Sequence, residues 1–592
     1  MKKLLLLSLL TTLCIACEDY LDREPYDYTS AGFYKTEEAI ELGLTGVYYN
    51  MYLDVYNFGY MVPNYIFLDQ FTGMAFERND APPTIGAGGG LDQNNARVLQ
   101  WWRTWYTLIA RANALIYGSK DYINGLSDKA LQYIAEARVL RAFAYYNLIS
   151  TYGDVPFFDR PVTVEQYHTP RTSKTTILDF ILNETADAAK NLEWTAPSRG
   201  RMDKAAAHGL RARAALLGGS LNYGGRATDY FKIAAAAADT VIGRRTLANC
   251  YEDLFTTTGQ TKADVRSELI IEVMYSLDGT RRTHLIGFGS ASRFHGQTLR
   301  HPSTLLADTY ECTDGKRIDE SPLYDPKHPQ RNRDPRFRAT LRMHGDTCVS
   351  NTTGAENGKI KVILNAYDDN TKQYDYSTDT WKTVTNMDIN SGAAWTSFTI
   401  MGAGYIWHKM TGDSVESIQA STIHFPVMRY AELLLTYAEA KIELNELDQS
   451  VYDAINAVRR RVGMPDVSSD RIGDITKMKQ LVRRERKVEL ALEGLHFVDM
   501  RRWGIGDLEN EHDSYGIPLK EYGGYEGMTE KPNFKTTDRH DLNDIANYEA
   551  YKHKLRSAIP GRFWDSKFEL WPIPQQEIFL NPALEPNPGY VN

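Results

Sequence analysis

Cysteine is scarce in this sequence, and no long apolar run occurs. Of 592 residues five are cysteine: Cys14, Cys17, Cys250, Cys312 and Cys348. Cys14 and Cys17 belong to an export signal. The other three are an odd number with no CxxC spacing, which argues against a zinc or iron–sulfur site. They leave open either a Cys312–Cys348 disulfide or free buried thiols. No stretch reaches the roughly 20 apolar residues a membrane-spanning helix needs. Positive charge is short as well. The formal net charge is −9, and a mildly acidic surface argues against nucleic acid, which wants a basic patch. Catalytic signatures are missing: there is no HExxH, no GxSxG elbow, no SxxK-type set and no Rossmann fingerprint. The run Gly86-Ala-Gly-Gly-Gly90 lacks the GKS/T ending of a phosphate loop.

What is present begins at the N-terminus. Lys2 and Lys3 precede a short apolar region, Leu4 to Leu13, which reads as a signal peptide over residues 1–16. The small Ala16 before Cys17 suits lipoprotein processing, with acyl chains on the Cys17 thiol burying CH₂ groups in a membrane. Tyrosine occurs 37 times and aromatics make up 11% of the chain, a supply useful for contact with carbohydrate or peptide.

Two helix-rich blocks flank a middle rich in loops and short strands. In the first block, residues 97–117, 128–150, 173–192, 203–221 and 229–242 read as helices. In the helix over 128–150, Tyr133, Ala137, Leu140, Ala144 and Leu148 recur three or four residues apart and form an apolar stripe. Ser127 or Asp128 can cap its start, and Gly153 lies just past its end. Paired helices with small residues at their contacts predict tetratricopeptide-like hairpins. The middle, 249–422, is rich in Gly, Thr, Asn, Asp and Tyr, with short strand-like runs at 269–275 and 359–364; long irregular segments of this kind are usually functional. Helices return at 430–447, 451–462 and 475–493, and the tail from 507 is again irregular. The fold class is therefore mainly α, with an N-terminal helical region over 17–248. A C-terminal region, 249–592, combines the variable loops with returning scaffold helices over 430–503.

Two features tempt a catalytic or metal reading. Glu485, Glu489 and Glu493 are spaced as one helical ridge, and paired carboxylates can hydrolyse glycosides. Arginines crowd them, however: Arg459, Arg460, Arg461, Arg483, Arg484, Arg486, Arg501 and Arg502. Structural ion pairs explain such a cluster better. The segment from Tyr367 to Trp381 has acids and tyrosines but lacks the Gly and closing Glu of an EF-hand, so it reads as a solvated loop. No cofactor or metal site is assigned.

Several segments, taken in order, resemble the SusD/RagB family of Bacteroidetes outer-membrane nutrient-binding lipoproteins. They are Leu44-Thr-Gly-Val-Tyr-Tyr-Asn50; Trp102-Arg-Thr-Trp-Tyr106 with Ile109, Arg111 and Asn113; and Ala135-Glu-Ala-Arg-Val-Leu-Arg-Ala-Phe-Ala-Tyr-Tyr146 with Tyr152-Gly-Asp-Val-Pro156. Then follow Arg333-Asp-Pro-Arg-Phe337, the run from Arg429 to Ala440, Asn456-Ala-Val-Arg459, Glu493-Gly494 and Asp499-Met-Arg-Arg-Trp-Gly504. Leu570-Trp-Pro-Ile-Pro574 and Asn587-Pro-Gly-Tyr590 close the set. Glu18, Asp19 and Asp22 resemble the surface-export signal of such lipoproteins. Two departures are Leu495-His496, where the family usually has Arg after Glu-Gly, and Pro586, where it has Gln.

The resemblance implies a SusD-like fold and a non-enzymatic role. The chain would capture an oligosaccharide, or in the RagB branch a peptide, at the cell surface. It would pass the ligand to a SusC-like TonB-dependent transporter in the outer membrane. Rivals are a glycoside hydrolase and a protein that docks only to its barrel partner. Ligand residues do not transfer within the family, so candidates come from chemistry: a rigid aromatic covers the apolar face of a sugar while polar groups meet its hydroxyls. The candidates are Asp69, Trp101, Phe294, His295, Tyr374, Tyr376, Trp381 and Trp395.

Overall fold

The computed structural model describes residues 32–52, 54–57, 60–77, 91–276, 300–351, 359–389, 403–411, 421–511 and 513–590. The lipidation candidate Cys17, together with Phe294, His295 and Trp395, lies outside the described residues. No helix among the described residues is long and apolar enough to cross a membrane.

Ten helices build the scaffold: α1 (Glu37–Tyr48), α2 (Ala96–Gly118), α3 (Asp128–Tyr152), α4 (Lys174–Ala188), α5 (Lys204–Ser220), α6 (Ala227–Asp239), α7 (Tyr430–Glu443), α8 (Gln449–Arg461), α9 (Ile475–Glu489) and α10 (His496–Arg502). Polar caps fix most of their starts. The Asn95 side chain accepts from the Arg97 and Val98 N–H groups, Ser127 from Ala130, Asp203 from Ala206 and Asp474 from Lys477, satisfying donors that the first turn leaves free. Gly153, with φ of 75°, ends α3 in a conformation that side chains with a Cβ resist.

Each helix packs on the next from α1 to α6, and α7 then packs on α6 and α5. The ladder of hairpins thus continues across the gap in sequence between 239 and 430. The stripe expected on α3 is one side of a helix that is buried all round: every residue from Tyr133 to Tyr152 except Arg138 is buried. Close approach depends on small residues. A Cβ on Gly218 would stand 2.3 Å from Leu178 Cδ2, and one on Gly219 2.7 Å from the Phe231 ring, so α5 meets α4 and α6 at near-backbone distance.

The strands are short and antiparallel. β1 (Leu269–Val273) pairs with β6 (Phe425–Arg429), which leads directly into α7. Between them β2 (Thr347–Asn351), β3 (Lys359–Ile363), β4 (Asn370–Asp375) and β5 (Thr380–Thr385) form a four-stranded sheet in the order β5-β4-β3-β2. This sheet stands on its own small core of Cys348, Val362, Leu364 and Ile406. The segment read as a solvated loop from Tyr367 to Trp381 is therefore mostly a β-hairpin. Cys312 belongs to a different apolar cluster from Cys348, so the two do not form a disulfide; both are buried, while Cys250 is exposed.

Candidate functional site

The acids that suggested catalysis are used up in holding the scaffold. Glu485 pairs with Arg336 at 2.9 Å and with Arg459. Glu489 meets Arg429 at 2.7 Å, Arg336 at 3.1 Å and Arg461. Glu493 takes Arg429 Nε at 2.8 Å and Lys409 Nζ at 2.6 Å. All three carboxylates are buried. Although burial alone would raise it, Arg461, Arg429 and Arg336 hold Glu489 far below the usual carboxylate range. The three do not share one helical ridge, because α9 ends at Glu489. Leu492 takes a left-handed φ of 64° and Gly494 one of 75°, turning Glu493 back into the same lattice. A Cβ on Gly494 would lie 2.3 Å from the Tyr65 carbonyl oxygen, so this turn admits only glycine. Next to it the Leu495-His496 departure is accommodated internally, with His496 Nε2 2.9 Å from Glu509.

Two candidates fall in the core. Trp101 is fully buried on α2, packed between Trp105 at 5.5 Å and Trp571 at 5.9 Å, ring centre to ring centre. Asp69 is 2% exposed, and its Oδ2 accepts from the Gly494 N–H at 3.1 Å. Burial pushes its carboxyl up to about 6, with His496 pulling it back. Neither reaches solvent, so neither can meet a ligand at the surface; both are scaffold.

The other three described candidates come together. β4 and β5 form a hairpin in which Trp381 stands opposite Tyr374. Their ring centres are 5.4 Å apart at 74°, and Tyr376 lies 5.1 Å from Tyr374 at 77°. Edge-to-face contacts of this kind fix the rings without covering all their faces. Lys361 on β3, a residue the sequence reading passed over, places its ammonium 4.6 Å from the Tyr374 ring centre and 5.4 Å from that of Trp381. Trp381 is 39% exposed. The turn is braced: Asp379, at φ of 55°, accepts from the Tyr374 hydroxyl, and Asp375 is held at about 2 by the Ser377 hydroxyl and Lys382. The site offers an aromatic cluster with Lys361 against its rings and Lys372 on the same face of the hairpin, ready to stack on an apolar face and bond to hydroxyls. Among the described residues no group of His, Cys, Asp and Glu is arranged to hold a metal ion.

A second concave surface differs in chemistry. A groove of about 650 Å³ runs along α2, with Trp102, Tyr106 and Phe158 in its walls and Tyr167 and Leu580 at its edges. The Tyr106 hydroxyl donates to the Pro156 carbonyl at 2.7 Å, and Arg103 Nε lies 2.7 Å from Glu577. Tyr167, Leu580 and the neighbouring Phe579 are 61%, 66% and 75% exposed. The Tyr106 hydroxyl and the exposed Arg103 already have partners, and Tyr167, Phe579 and Leu580 add exposed apolar surface beside them, which suits a protein contact better than a sugar.

Comparison with known proteins agrees with this architecture. A profile described as the SusD family matches residues 267–590, and one described as starch-binding, associating with the outer membrane, matches residues 19–216. A SusD-like protein of Bacteroides ovatus is 24% identical over 526 residues, covering 85% of this chain and 82% of its own length. The starch-binding protein SusD of Bacteroides thetaiotaomicron is 22% identical over 463 residues, covering 70% and 75%. The crystal structure of a SusD-like carbohydrate binding protein from Bacteroides fragilis superposes with a TM-score of 0.71 at 26% identity, covering 93% of this chain and all of the other.

Proposed function

The chain belongs to the SusD family, and from that membership we propose that it is a lipoprotein of the outer membrane, anchored through Cys17, that captures oligosaccharide at the cell surface and hands it to a SusC-like TonB-dependent transporter. The observation that carries the ligand class is the hairpin cluster of the exposed Trp381 with the half-buried Tyr374 and Tyr376. A partly bare indole backed by two phenols is a surface that stacks on a pyranose at little entropic cost. The relatives support the same class, since one is named for starch binding and another for carbohydrate binding. A non-catalytic role fits the acids of α9 and the turn after it, whose ion pairs leave them unavailable as proton donors or nucleophiles. Contact with the transporter is assigned to the apolar groove along α2 and its rim of Phe579 and Leu580.

The test uses the chain from Glu18 onward in calorimetry against polysaccharide and peptide panels, with release of product assayed in parallel. Glycan binding without turnover is expected. Binding confined to peptides would replace the ligand class, and turnover of a bound glycan would overturn the non-catalytic reading. In cells, Cys17→Ala should move the protein out of the membrane fraction, because acyl burial is the anchor the sequence offers. Unchanged membrane retention would remove the lipoprotein assignment.

A further inference from the structure

One cluster of titratable groups belongs neither to the ion-pair lattice nor to the hairpin. A crevice of about 40 Å³ is walled by Tyr324, Tyr405, Tyr525, Tyr548, Tyr551 and Asp308. It reaches the surface past the half-buried Tyr324 and Glu530.

Asp308 is 8% exposed and accepts a hydrogen bond from the Tyr548 hydroxyl at 2.8 Å. Among the described residues the cation that acts on it is Arg333, and only through space. The Arg333 Nη atoms are committed to the carbonyls of Pro329, Ala307 and Tyr310, at 2.8, 2.5 and 2.8 Å. A buried carboxylate without an ion pair is a costly group to keep charged. Burial pushes the Asp308 carboxyl up to about 6, against the pull of Arg333 and Tyr548. Four phenols, those of Tyr324, Tyr405, Tyr548 and Tyr551, are raised by burial and then by the charge of this one carboxylate. All four line the crevice with Asp308. The Tyr525 hydroxyl is buried beside the Tyr405 phenol.

Size and chemistry narrow the occupant. The space exceeds the roughly 10–15 Å³ a single water needs, and is well below the about 150 Å³ cavity that takes a benzene ring. A pyranose does not fit; a small charged head does. Calcium takes six to eight oxygens, usually with several carboxylates or carbonyls. Here the second carboxylate, Glu530, is already held by Lys554. A carboxylate ringed by electron-rich phenols instead matches an ammonium group, which gains a hydrogen-bonded counter-ion and cation–π attraction together.

We propose that this crevice binds a primary ammonium group, carried into it by an amino sugar or by a lysine side chain. The proposal stands apart from the hairpin and from the glycan reading. Calorimetry on the chain from Glu18 onward, with methylammonium, glucosamine and Nα-acetyl-lysine amide as probes and glucose as the neutral control, tests it. Saturable binding of methylammonium is expected, weakened about tenfold or more in Asp308→Asn. Tighter binding of glucosamine identifies an amino sugar as the source, and tighter binding of the lysine derivative identifies a peptide. Tyr324→Leu, at the rim, should weaken methylammonium about threefold while the melting temperature holds. If Asp308→Asn does not fold, this second variant decides. No saturable binding of any primary amine by the wild-type chain, or affinity unchanged in the folded variants, would overturn the site.

Discussion

The lattice around α9 and the hairpin of β4 and β5 both concentrate side chains with strong chemistry, and they treat them in opposite ways. Around α9, Arg336, Arg429, Arg459 and Arg461 meet Glu268, Glu311, Glu485, Glu489 and Glu493 at bonding distance, with no side chain of the set more than 4% exposed. Every charge there has been spent on another part of the same chain. On the hairpin, Tyr374, Tyr376 and Trp381 touch one another and Lys361, but the indole still faces water. Chemistry that is fully paired internally holds a fold; chemistry left open is what a ligand can use. The contrast is why the acids, the more tempting feature in the sequence, recede once the structure is known.

Four measurements would break or sharpen that contrast. The largest effect should come from acid. Glu311 and Glu509 sit at about 2 in the fold, below an ordinary value of 4.5, because Arg459 and Arg484 on one side and His496 and Lys487 on the other outweigh the cost of burial. A depressed carboxylate stabilises the fold fully above its unfolded value and loses that contribution as pH falls toward the folded one. Each is worth about 3 kcal/mol at neutral pH. Asp69 and Asp308, raised to about 6, should add stability as pH falls from about 6 to 4, and thermal melts should then collapse between about pH 4.5 and 2; no loss between about pH 4.5 and 3 would mean the lattice contributes little.

Next is Glu489→Gln. It leaves Arg336, Arg429 and Arg461 with an uncompensated buried charge, at a cost of about 3–5 kcal/mol. Glycan affinity per folded molecule should stay the same. A wild-type melt with lost binding would turn the lattice into a site.

Trp381→Ala should do the reverse. The melting temperature should hold, since the residue is 39% exposed, while glycan binding weakens by about 2 kcal/mol, roughly thirtyfold. A melt many degrees lower with intact binding would show that the hairpin rings are structural.

The smallest effect is expected from Lys361→Ala. Its ammonium steadies Tyr374 and Trp381, and its removal should weaken glycan binding about two- to fivefold, as suits a partly exposed cation–π contact. A gain in affinity would show instead that the lysine blocks the ring faces.

Much of the scaffold was legible because helices announce themselves through period and caps. Ser127 and the stripe of α3 were enough to place a helix over 128–150 that runs in the structure to Tyr152. Misreadings arose where the deciding contact lies far away in sequence. Trp101 falls inside the expected helix 97–117 and reads as a ligand contact, yet Trp571, from the other end of the chain, covers it. Asp69 reads as an exposed acceptor until the Gly494 N–H claims it. Glu493 continues the spacing of Glu485 and Glu489 although the helix has ended, since the left-handed Leu492 leaves no signal in composition. The hairpin hid for another reason. Along β5, Thr380 to Lys382 are all exposed, so no alternation of apolar and polar residues marks a strand. Its aromatics were still found, because bulky rings amid polar residues mark a surface whatever the backbone does.

The small core under the four-stranded sheet has a consequence for how such proteins diversify. Cys348, Val362, Leu364 and Ile406 pack apart from the main core, so residues 370–385 answer to four side chains rather than to the helical ladder. The hairpin behaves as a cartridge. On the proposal that the hairpin meets glycan, exchanging its sequence for another of matched length should change what the surface prefers while the helical scaffold keeps its packing.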